Sequence, residues 1–488
     1  MKKASAQRRQ KRKQSAKKSR RRKRSVIQGT TAGREGTERE PIEFNQPPRD
    51  EHGLVGLILQ RVGWDRLTEL NARKSPRGRP AHTLSRAQLL IGIIFHYTIS
   101  CAGTFAEHLL ILTGISMAES SLSQRRQALP QTVFQELLAL ILRPIAEVAE
   151  AAFYKGLRLV AIDGVAYSVG NHAPVNKRLA KVKNQKGEGG FPKLRCAVLV
   201  ELLMHNPLAA RLGCDGESEW KLAQGLLEHL PPRCLLIADR LYGCGAFILA
   251  ALEVLTQLKG HLLLRVKENL KVLRVLKRLS DGSQLVEIKA LNPENYHEVV
   301  GTTVVREIRA TLRRKGCRPL KIRLWTTLTD ETEYPAEELV RLYMSRWEHE
   351  LYFRELKHEL GTNDLLRSQT VDTAAQELAA MIIGSSIIAE ERSKLKTGDS
   401  LPHRLSFIKV WDLLEPLWLT LLLGADILTG DQKQRLADRF YQMASRCRMP
   451  KKRIRSCPRV LRQPQQPWPK KRQQKEHNSP VTCRIAKR

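Results

Sequence analysis

The chain from residue 51 to about residue 150 has the apolar spacing of helices. Ser85 and Gln88 form a capping box ahead of apolar positions 89, 90, 93 and 94, which predicts a helix there. A second helical stretch begins at Phe105, and Ser121 with Gln124 predicts the start of a third, short helix. The last two have helix-turn-helix proportions, and a plain helical bundle is an equally good interpretation.

The pattern changes to strands at residue 157. A mostly apolar run there ends in Asp163, and 194–204 and 208–213 predict two further strands joined by a turn at Asn206 and Pro207. A helix at 217–229 and a short apolar strand ending in Asp239 follow. Three strands, a helix and a fourth strand, with a carboxylate at the exits of the first and the fourth, predict a ribonuclease-H-like core.

The pattern after residue 268 is β again, with hairpin-like segments at 284–288, 299–312 and 320–328. Pro335 predicts the start of a long helix that Gly361 would cap, and more apolar helix follows at 372–393 and 405–428. The predicted fold class is α/β: a ribonuclease-H-like catalytic core interrupted by a β-rich insertion, with a helical N-terminal DNA-binding domain and a helical C-terminal segment. The expected boundaries are a disordered basic tail at 1–50, the DNA-binding domain at 51–150, the first part of the core at 151–267, the insertion at 268–334, the second part of the core with its catalytic helix at 335–395, the C-terminal segment at 396–445 and a second disordered basic tail at 446–488.

Positive charge is concentrated at the two ends of the chain. The formal net charge of the 488 residues is +35. Residues 1–25 carry 14 Lys and Arg with no acid, and residues 446–488 carry 15 against the single Glu476. Two cationic tails around an ordinary charge mixture indicate a polyanionic partner such as nucleic acid.

The nine cysteines are scattered, without CxxC or zinc-type spacing, which favours a reducing compartment over disulfides or structural zinc. The basic N-terminus is followed by no apolar segment of the signal-peptide kind. The longest uncharged run, 88–106, is better read as a buried helix and a turn than as a membrane span. We therefore expect a soluble protein.

Four polar side chains share one face of the helix predicted after Pro335. At about 100° per residue, Tyr343, Arg346 and Lys357 all lie within about 40° of Glu350. An amphipathic helix normally fills such a stripe with apolar groups, although a solvated face with salt bridges is an equally good explanation of the spacing alone. The two aspartates at strand ends favour the functional interpretation.

Carboxylates from Asp163, Asp239 and Glu350 would supply hard oxygen ligands, which suit two Mg²⁺ ions, with Mn²⁺ as a substitute. Two such ions can activate a water or a 3′-hydroxyl on one side of a phosphodiester and stabilise the leaving oxygen on the other. Arg346 and Lys357 would then hold the flanking phosphates, and Tyr343 could donate a hydrogen bond or stack. The predicted chemistry is phosphoryl transfer on nucleic acid.

The spacing Tyr343-x2-Arg346-x3-Glu350-x6-Lys357 resembles the YREK signature of DDE transposases of the insertion-sequence-four family. Ala161-Ile162-Asp163-Gly164 and Ile237-Ala238-Asp239-Arg240-x-Tyr242 resemble the two aspartate motifs of that family. The separations of 76 and 111 residues agree, because the family places a β-rich insertion between its second Asp and its Glu. The resemblance covers about residues 54–395. One departure is Leu241, where many members have Gly, and it puts the local turn in doubt.

The resemblance implies a transposase that cleaves DNA at the transposon ends and joins the freed 3′-hydroxyl to target DNA, in several members through a hairpin. It implies as partners double-stranded DNA, both the terminal inverted repeats and the target, and a homodimer on paired ends, with no membrane. It also implies a prokaryotic, cytoplasmic protein associated with the nucleoid. We expect Arg240, Arg125 and Arg126 to contribute to DNA binding with the YREK residues.

Alternation along 320–328 places Lys321, Arg323 and Trp325 on one face and apolar residues on the other. An aromatic ring between cations suits base stacking, and family members use an insertion-domain Trp to hold a flipped base. Packing of Trp325 against a neighbouring element is equally compatible with the pattern.

Two further features have competing interpretations. The basic segment 168–192 is expected to contact DNA near Asp163, or else to be a solvated loop. His349 and His358 flank the polar helix face, but a hard Mg²⁺ site does not call for imidazole.

Two rival functions share these features. One is a nuclease on the same core that cuts without strand transfer, and the other is a non-catalytic basic protein that binds nucleic acid. The presence of all three acids weighs against the latter.

Overall fold

The computed structural model describes residues 50–72, 84–99, 103–146, 152–184, 187–291, 297–314, 319–360, 365–395 and 402–449, with short strands at 460–461, 470–471 and 481–485. The described helices are α1 Leu54–Val62, α2 Trp64–Ala72, α3 Arg86–Thr98, α4 Phe105–Thr113, α5 Glu119–Gln127, α6 Gln131–Ile141, α7 Ala173–Arg178, α8 Glu219–Gln224, α9 Gly245–Gln257, α10 Ala336–Tyr343, α11 Trp347–Arg354, α12 Val371–Ser393, α13 Phe407–Leu423 and α14 Gly430–Ala444. The described strands are β1 Phe153–Tyr154, β2 Leu157–Ser168, β3 Lys181–Asn184, β4 Gly187–Glu201, β5 Asn206–Gly213, β6 Cys234–Ala238, β7 His261–Arg265, β8 Arg274–Arg278, β9 Gln284–Leu291, β10 Val299–Arg314, β11 Leu320–Thr326, β12 Val460–Leu461, β13 Lys470–Lys471 and β14 Val481–Ile485.

Two of the N-terminal helices, α3 and α4, begin at capping boxes that the sequence encodes. The capping box of Ser85 and Gln88 is present at the start of α3, as predicted. The helix α5 begins at Glu119 after Ala118, which provides no side-chain cap, so the predicted start at Ser121 is wrong by two residues. The acidic Glu119 instead lies in the first turn, where it complements the helix dipole.

The central sheet contains the order β5, β4, β2, β6, β7. β5 with β4 and β4 with β2 are antiparallel, whereas β2 with β6 and β6 with β7 are parallel. Three antiparallel strands followed by a helix and two parallel strands are the topology of a ribonuclease-H-like core. The predicted fold class is therefore confirmed.

The turn between β4 and β5 lies just before Asn206 and not at Asn206 and Pro207 as predicted. It occupies 202–205, with His205 at φ 53°, and Asn206 is already the first residue of β5. The Asn206 side chain is fully buried, donating to the carbonyl of Arg143 at 2.8 Å and accepting from the Ser386 hydroxyl at 2.9 Å. The Asn206 and Pro207 turn is therefore wrong, because tertiary hydrogen bonds hold Asn206 inside the sheet.

The insertion strands extend the same sheet. β11 pairs with β7, and β10, β9 and β8 follow in order. In the predicted basic tail, β14 pairs antiparallel with β10 over Ala310–Arg314. The insertion is thus joined to the core by main-chain hydrogen bonds.

The chain after Pro335 forms a helix of changing pitch. Pro335 is the N-cap of α10, as predicted. A 3₁₀ turn over Met344–Arg346 separates α10 from α11, and a π-helical stretch over Glu355–Leu360 follows α11. Gly361, predicted as its cap, lies outside the described residues. Short π segments inside helices are frequent at functional sites.

The helix α12 lies at the centre of the helical part of the structure and packs against α3 and α6. Among the described residues it alone is long and apolar enough to cross a membrane, and 94% of its apolar window is buried inside the structure. Such burial is typical of a core helix.

Candidate active site

Strand register brings the two aspartates to the same level. The last parallel pair between β2 and β6 joins Ile162 to Ala238, so Asp163 and Asp239 follow side by side. Asp239 leaves β6 as predicted, but Asp163 lies inside β2, which continues to Ser168 because its antiparallel pairing with β4 goes on. The prediction that the first strand ends at Asp163 is therefore wrong, although the aspartate's position is unaffected.

The turn after β6 is organised by Asp239 itself. The backbone N–H of Leu241 donates to Asp239 Oδ1 at 2.6 Å, and that of Tyr242 to the Asp239 carbonyl at 3.3 Å. Leu241 has no left-handed backbone and is 46% exposed. The turn therefore does not need the glycine that many family members have there.

The third acid approaches from α11. Glu350 lines an open cleft of about 510 Å³ together with Asp163, Asp239, Arg346 and Lys357. Three carboxylates from two strands and one helix thus face one space, as the sequence predicts.

Arg346 bridges two of these acids. Its guanidinium donates to Glu350 Oε1 at 2.5 Å and to Asp163 Oδ2 at 3.4 Å. Burial alone would lower the pKa of Arg346, but the bond to Glu350 and the nearby negative charges raise it. The Arg346 guanidinium is therefore a fixed cation between Asp163 on β2 and Glu350 on α11.

The other two YREK residues differ in accessibility. Lys357, in the π-helical stretch, lies with Nζ 3.5 Å from the Ala166 carbonyl and 5.3 Å from the Tyr167 ring centroid. Tyr343 is only 5% exposed, and burial raises its pKa to about 12. Its ring packs in the core, which argues against the stacking alternative. The other alternative, a hydrogen bond from the Tyr343 hydroxyl, stays a prediction.

The remaining predicted arginines lie in two places: Arg240 follows β6, and Arg125 and Arg126 lie on α5. Arg240 is exposed beside Asp239. Arg125 donates to the Leu84 carbonyl at 3.3 Å. Arg126 donates to the Tyr97 hydroxyl at 3.1 Å. Arg125 and Arg126 are half-buried in the N-terminal helices and do not line the acid cleft.

Trp325 does not present its ring to solvent. It is 2% exposed, and its indole N–H donates to Glu307 Oε2 at 3.0 Å. It belongs to an apolar cluster with Phe247 and other residues of α9, while Leu324 on the opposite face packs with Leu339 of α10. Helices cover both faces of β11, so the predicted stacking platform is wrong and the packing alternative is correct.

His349 is completely buried, with its ring centroid 4.7 Å from that of Phe353. Burial lowers its pKa to about 3. His358 lines the cleft. The burial of His349 agrees with the expectation that it is not a metal ligand.

Burial and mutual repulsion act on the two strand aspartates of the cleft. Burial raises the pKa of Asp163 to about 7, and repulsion from Asp239 and Glu219 adds to the increase against the opposing Gly164 N–H and Arg346. In the part of the chain that the structure describes, no three His, Cys, Asp or Glu side chains form a ready-made metal-binding group. The donor set nevertheless fits a hard divalent cation, because carboxylates from three separate elements face one open cleft.

Two residues beside this cleft are not among the predicted site residues. Glu219 begins α8, and its carboxylate accepts a hydrogen bond from the Tyr242 hydroxyl at 2.9 Å. Tyr242 is noted in the sequence only as part of the second aspartate motif. The one signal for Glu219 is its position on the helix between the third and fourth core strands.

Residues 154–385, which contain Asp163, Asp239 and Glu350, match the family described as "Transposase DDE domain". The chain is a DNA transposase of the DDE class, whose members act on DNA and use divalent metal ions. It is 24% identical over 365 residues to "Transposase InsG for insertion sequence element IS4" of Escherichia coli, and the match covers 72% of this chain and 78% of that one.

A solved structure entitled "Cryo-EM structure of piggyBac transposase synaptic complex with hairpin DNA (SNHP)" is 10% identical, with a TM-score of 0.38 over 79% of this chain and 82% of that one. This likeness is too weak to bear on the site.

Proposed function

We propose that Asp163, Asp239 and Glu350 are the catalytic acids and hold divalent metal ions, with Mg²⁺ as the natural metal and Mn²⁺ as a substitute. The supporting observation is the convergence of three carboxylates from separate elements on one cleft. When bound, two such ions would activate the attacking water or 3′-hydroxyl and stabilise the leaving oxygen.

The basic groups around the cleft would hold DNA. Arg346 and Lys357 lie beside Glu350 and would bind the phosphates flanking the scissile bond, and Arg240 is exposed next to Asp239. Arg125 and Arg126 belong to the N-terminal helices and remain predicted DNA contacts. Both have protein partners, so they would need to exchange these for phosphate.

The proposed partners are the terminal inverted repeats and the target duplex, bound by a homodimer that pairs two ends. The two basic termini would add sequence-independent attraction to phosphates. The proposed setting is the prokaryotic cytoplasm, in association with the nucleoid.

The test is substitution of each acid in turn. Asp163→Ala, Asp239→Ala and Glu350→Ala should each lower cleavage of an end substrate by more than about a hundredfold, the upper limit for outer-shell changes at metal sites. End binding in a gel-shift assay should persist, because the acids act at the chemical step. Glu337→Ala is the matched control, since Glu337 is 52% exposed on α10, away from the cleft, and forms an i,i+4 ion pair with Arg341.

Robust Mg²⁺-dependent cutting by any of the three variants would remove that residue from the site. A pre-cleaved end with a free 3′-hydroxyl and a supercoiled target plasmid would test strand transfer. Cleavage without joined products would indicate the rival nuclease function.

A further inference from the structure

A fourth carboxylate, Glu219, lies beside the two strand aspartates. It is the first residue of α8, after the N-cap Ser218, and it belongs to none of the three acid motifs. Its pKa is raised by burial, and the negative charge of Asp239 adds to that increase. The same two residues, Asp239 and Glu219, also raise the pKa of Asp163. The three acids are therefore close enough to influence one another's ionisation.

Glu219 packs directly on the backbone next to Asp163. A Cβ atom added to Gly164 would lie 2.1 Å from Glu219 Cδ and 2.6 Å from its Oε1, so only glycine leaves room for this carboxylate. The Gly164 N–H donates to Asp163 Oδ1 at 2.9 Å and also lies close enough to the Glu219 carboxylate to oppose the rise in its pKa. One backbone amide thus faces both acids.

Tyr242 connects Glu219 to the second aspartate. Its hydroxyl donates to Glu219 Oε1 at 2.9 Å, and its backbone N–H donates to the Asp239 carbonyl at 3.3 Å. The ring is fully buried, with its centroid 5.1 Å from that of Phe247. Because the ring is fixed by packing, the hydroxyl holds Glu219 at a set place relative to the Asp239 turn.

We propose that Glu219, held by Tyr242, is a positioning residue that fixes the spacing of Asp163 and Asp239 and strengthens divalent cation binding between them. The inference rests on the proposed function, since it assumes that these aspartates are metal ligands. Glu219 contacts the Asp163 strand through Gly164 and the Asp239 turn through Tyr242, so it joins the two elements from the side opposite to α11. Its charge adds to the field that attracts a cation.

The test is Mn²⁺ binding to the full-length protein without DNA. Electron paramagnetic resonance of the free Mn²⁺ ion measures how much is bound. Glu219→Gln keeps the shape and the hydrogen-bonding oxygen but removes the charge, and we expect it to weaken Mn²⁺ binding about tenfold, the lower limit for outer-shell groups. Tyr242→Phe removes only the hydroxyl, and we expect about a threefold loss, in line with one hydrogen bond. The second variant keeps the inference testable if the first does not fold.

Tyr154→Phe is the matched control. It removes a similar bond, from the Tyr154 hydroxyl to Glu338 Oε2 at 2.8 Å, in β1 and α10. Its Mn²⁺ affinity should equal that of the wild type, and circular dichroism and end binding should be preserved in all three variants.

The inference is overturned if Glu219→Gln and Tyr242→Phe bind Mn²⁺ like the wild type while Asp163→Asn loses it, because Glu219 would then be a structural residue only. If Asp163→Asn also keeps both Mn²⁺ affinity and cleavage, the proposed metal site itself is wrong. The two failures are therefore distinguishable.

Discussion

Two clusters of buried charge lie on the same sheet and have opposite characters. In the insertion, Glu307 of β10 has every oxygen engaged: Oε1 accepts from Arg309 at 2.7 Å, and Oε2 accepts from Arg323 at 2.6 Å and from Trp325 at 3.0 Å. Arg323 also donates to three main-chain carbonyls, one of them that of Leu270 at 2.6 Å. Both carboxylate oxygens of Glu307 and the guanidinium of Arg323 therefore have hydrogen-bond partners.

In the cleft, two of the acids share one arginine. Arg346 alone bridges Asp163 and Glu350. Burial raises the pKa of Asp163 to about 7, whereas at Glu307 the bonds from Trp325, Arg309 and Arg323 outweigh burial and lower it. Saturated pairing is typical of a structural cluster, whereas a carboxylate with a strongly raised pKa beside an open cleft is typical of a functional one.

The largest expected effect on stability belongs to the saturated cluster. Glu307→Ala would leave the buried Arg323 without its carboxylate, which should lower the free energy of unfolding by about 3–5 kcal/mol. Urea denaturation measures this. Arg274→Ala is the control, because its ion pair with Glu287 has the arginine 70% exposed and should contribute less than about 1 kcal/mol. An equal loss of unfolding free energy in Glu307→Ala and Arg274→Ala would contradict the structural role of the Glu307 cluster.

Asp163 should behave in the opposite way. In metal-free buffer at neutral pH or above, Asp163→Asn removes a carboxylate that Asp239 and Glu219 repel, so it should raise the free energy of unfolding by roughly 0.5–2 kcal/mol. Thermal unfolding in EDTA measures the change. A destabilisation comparable to that of Glu307→Ala would show that Asp163 is a structural residue.

The pH dependence of stability should separate the two clusters by sign. The lowered pKa of Glu307 means that its contribution is present above its ordinary value of 4.5 and is lost as the pH falls below it. The raised pKa of Asp163 means that its contribution becomes more favourable as the pH falls through about 7. Glu307→Gln should flatten the acid limb of a stability profile in EDTA, and Asp163→Asn the limb between pH 8 and 5.

The smallest effect is expected at Trp325. Trp325→Phe keeps an aromatic ring and removes the N–H bond to Glu307, so we expect a loss of about 1 kcal/mol in the free energy of unfolding. Nicking and the later steps should proceed at the wild-type rate per folded molecule. A selective defect after the first nick would restore the stacking role that the buried ring argues against.

Local signals predict the core strands and the acids well. The short apolar strand predicted to end in Asp239 is found as Cys234–Ala238, because such a strand is buried on both sides and its end is marked by a polar residue. The alternation of polar and apolar residues around Trp325 led to the wrong prediction of an exposed stacking surface for a related reason. In a strand covered by helices on both faces, a cation on the second face can be paired inside the protein, which sequence alone does not reveal.

The helix that carries Glu350 shows a second limit of the sequence. Uniform α-helical spacing predicts one face for four residues, whereas the 3₁₀ turn at Met344–Arg346 and the π-helical stretch at Glu355–Leu360 change the pitch on both sides of Glu350. In the second stretch, Glu355 accepts from the buried His205 and Arg392, so partners distant in sequence accompany the change of pitch. Arg346, Glu350 and Lys357 still reach the cleft, but Tyr343 is buried.

The pairing of Ile162 with Ala238 also bears on how sequences of this kind can diverge. Hydrogen bonds between neighbouring strands, and not the 76 residues of chain between the two aspartates, determine how far apart these side chains stand. Insertions and deletions in the surface connections between β2 and β6 can therefore accumulate without moving either carboxylate. The same holds for the 111 residues before Glu350, where four strands have been accommodated by widening the sheet. A change in the number of residues between the motifs therefore leaves the positions of the aspartates unaltered. A one-residue slip within β2 or β6 would instead turn an aspartate to the opposite face of the sheet.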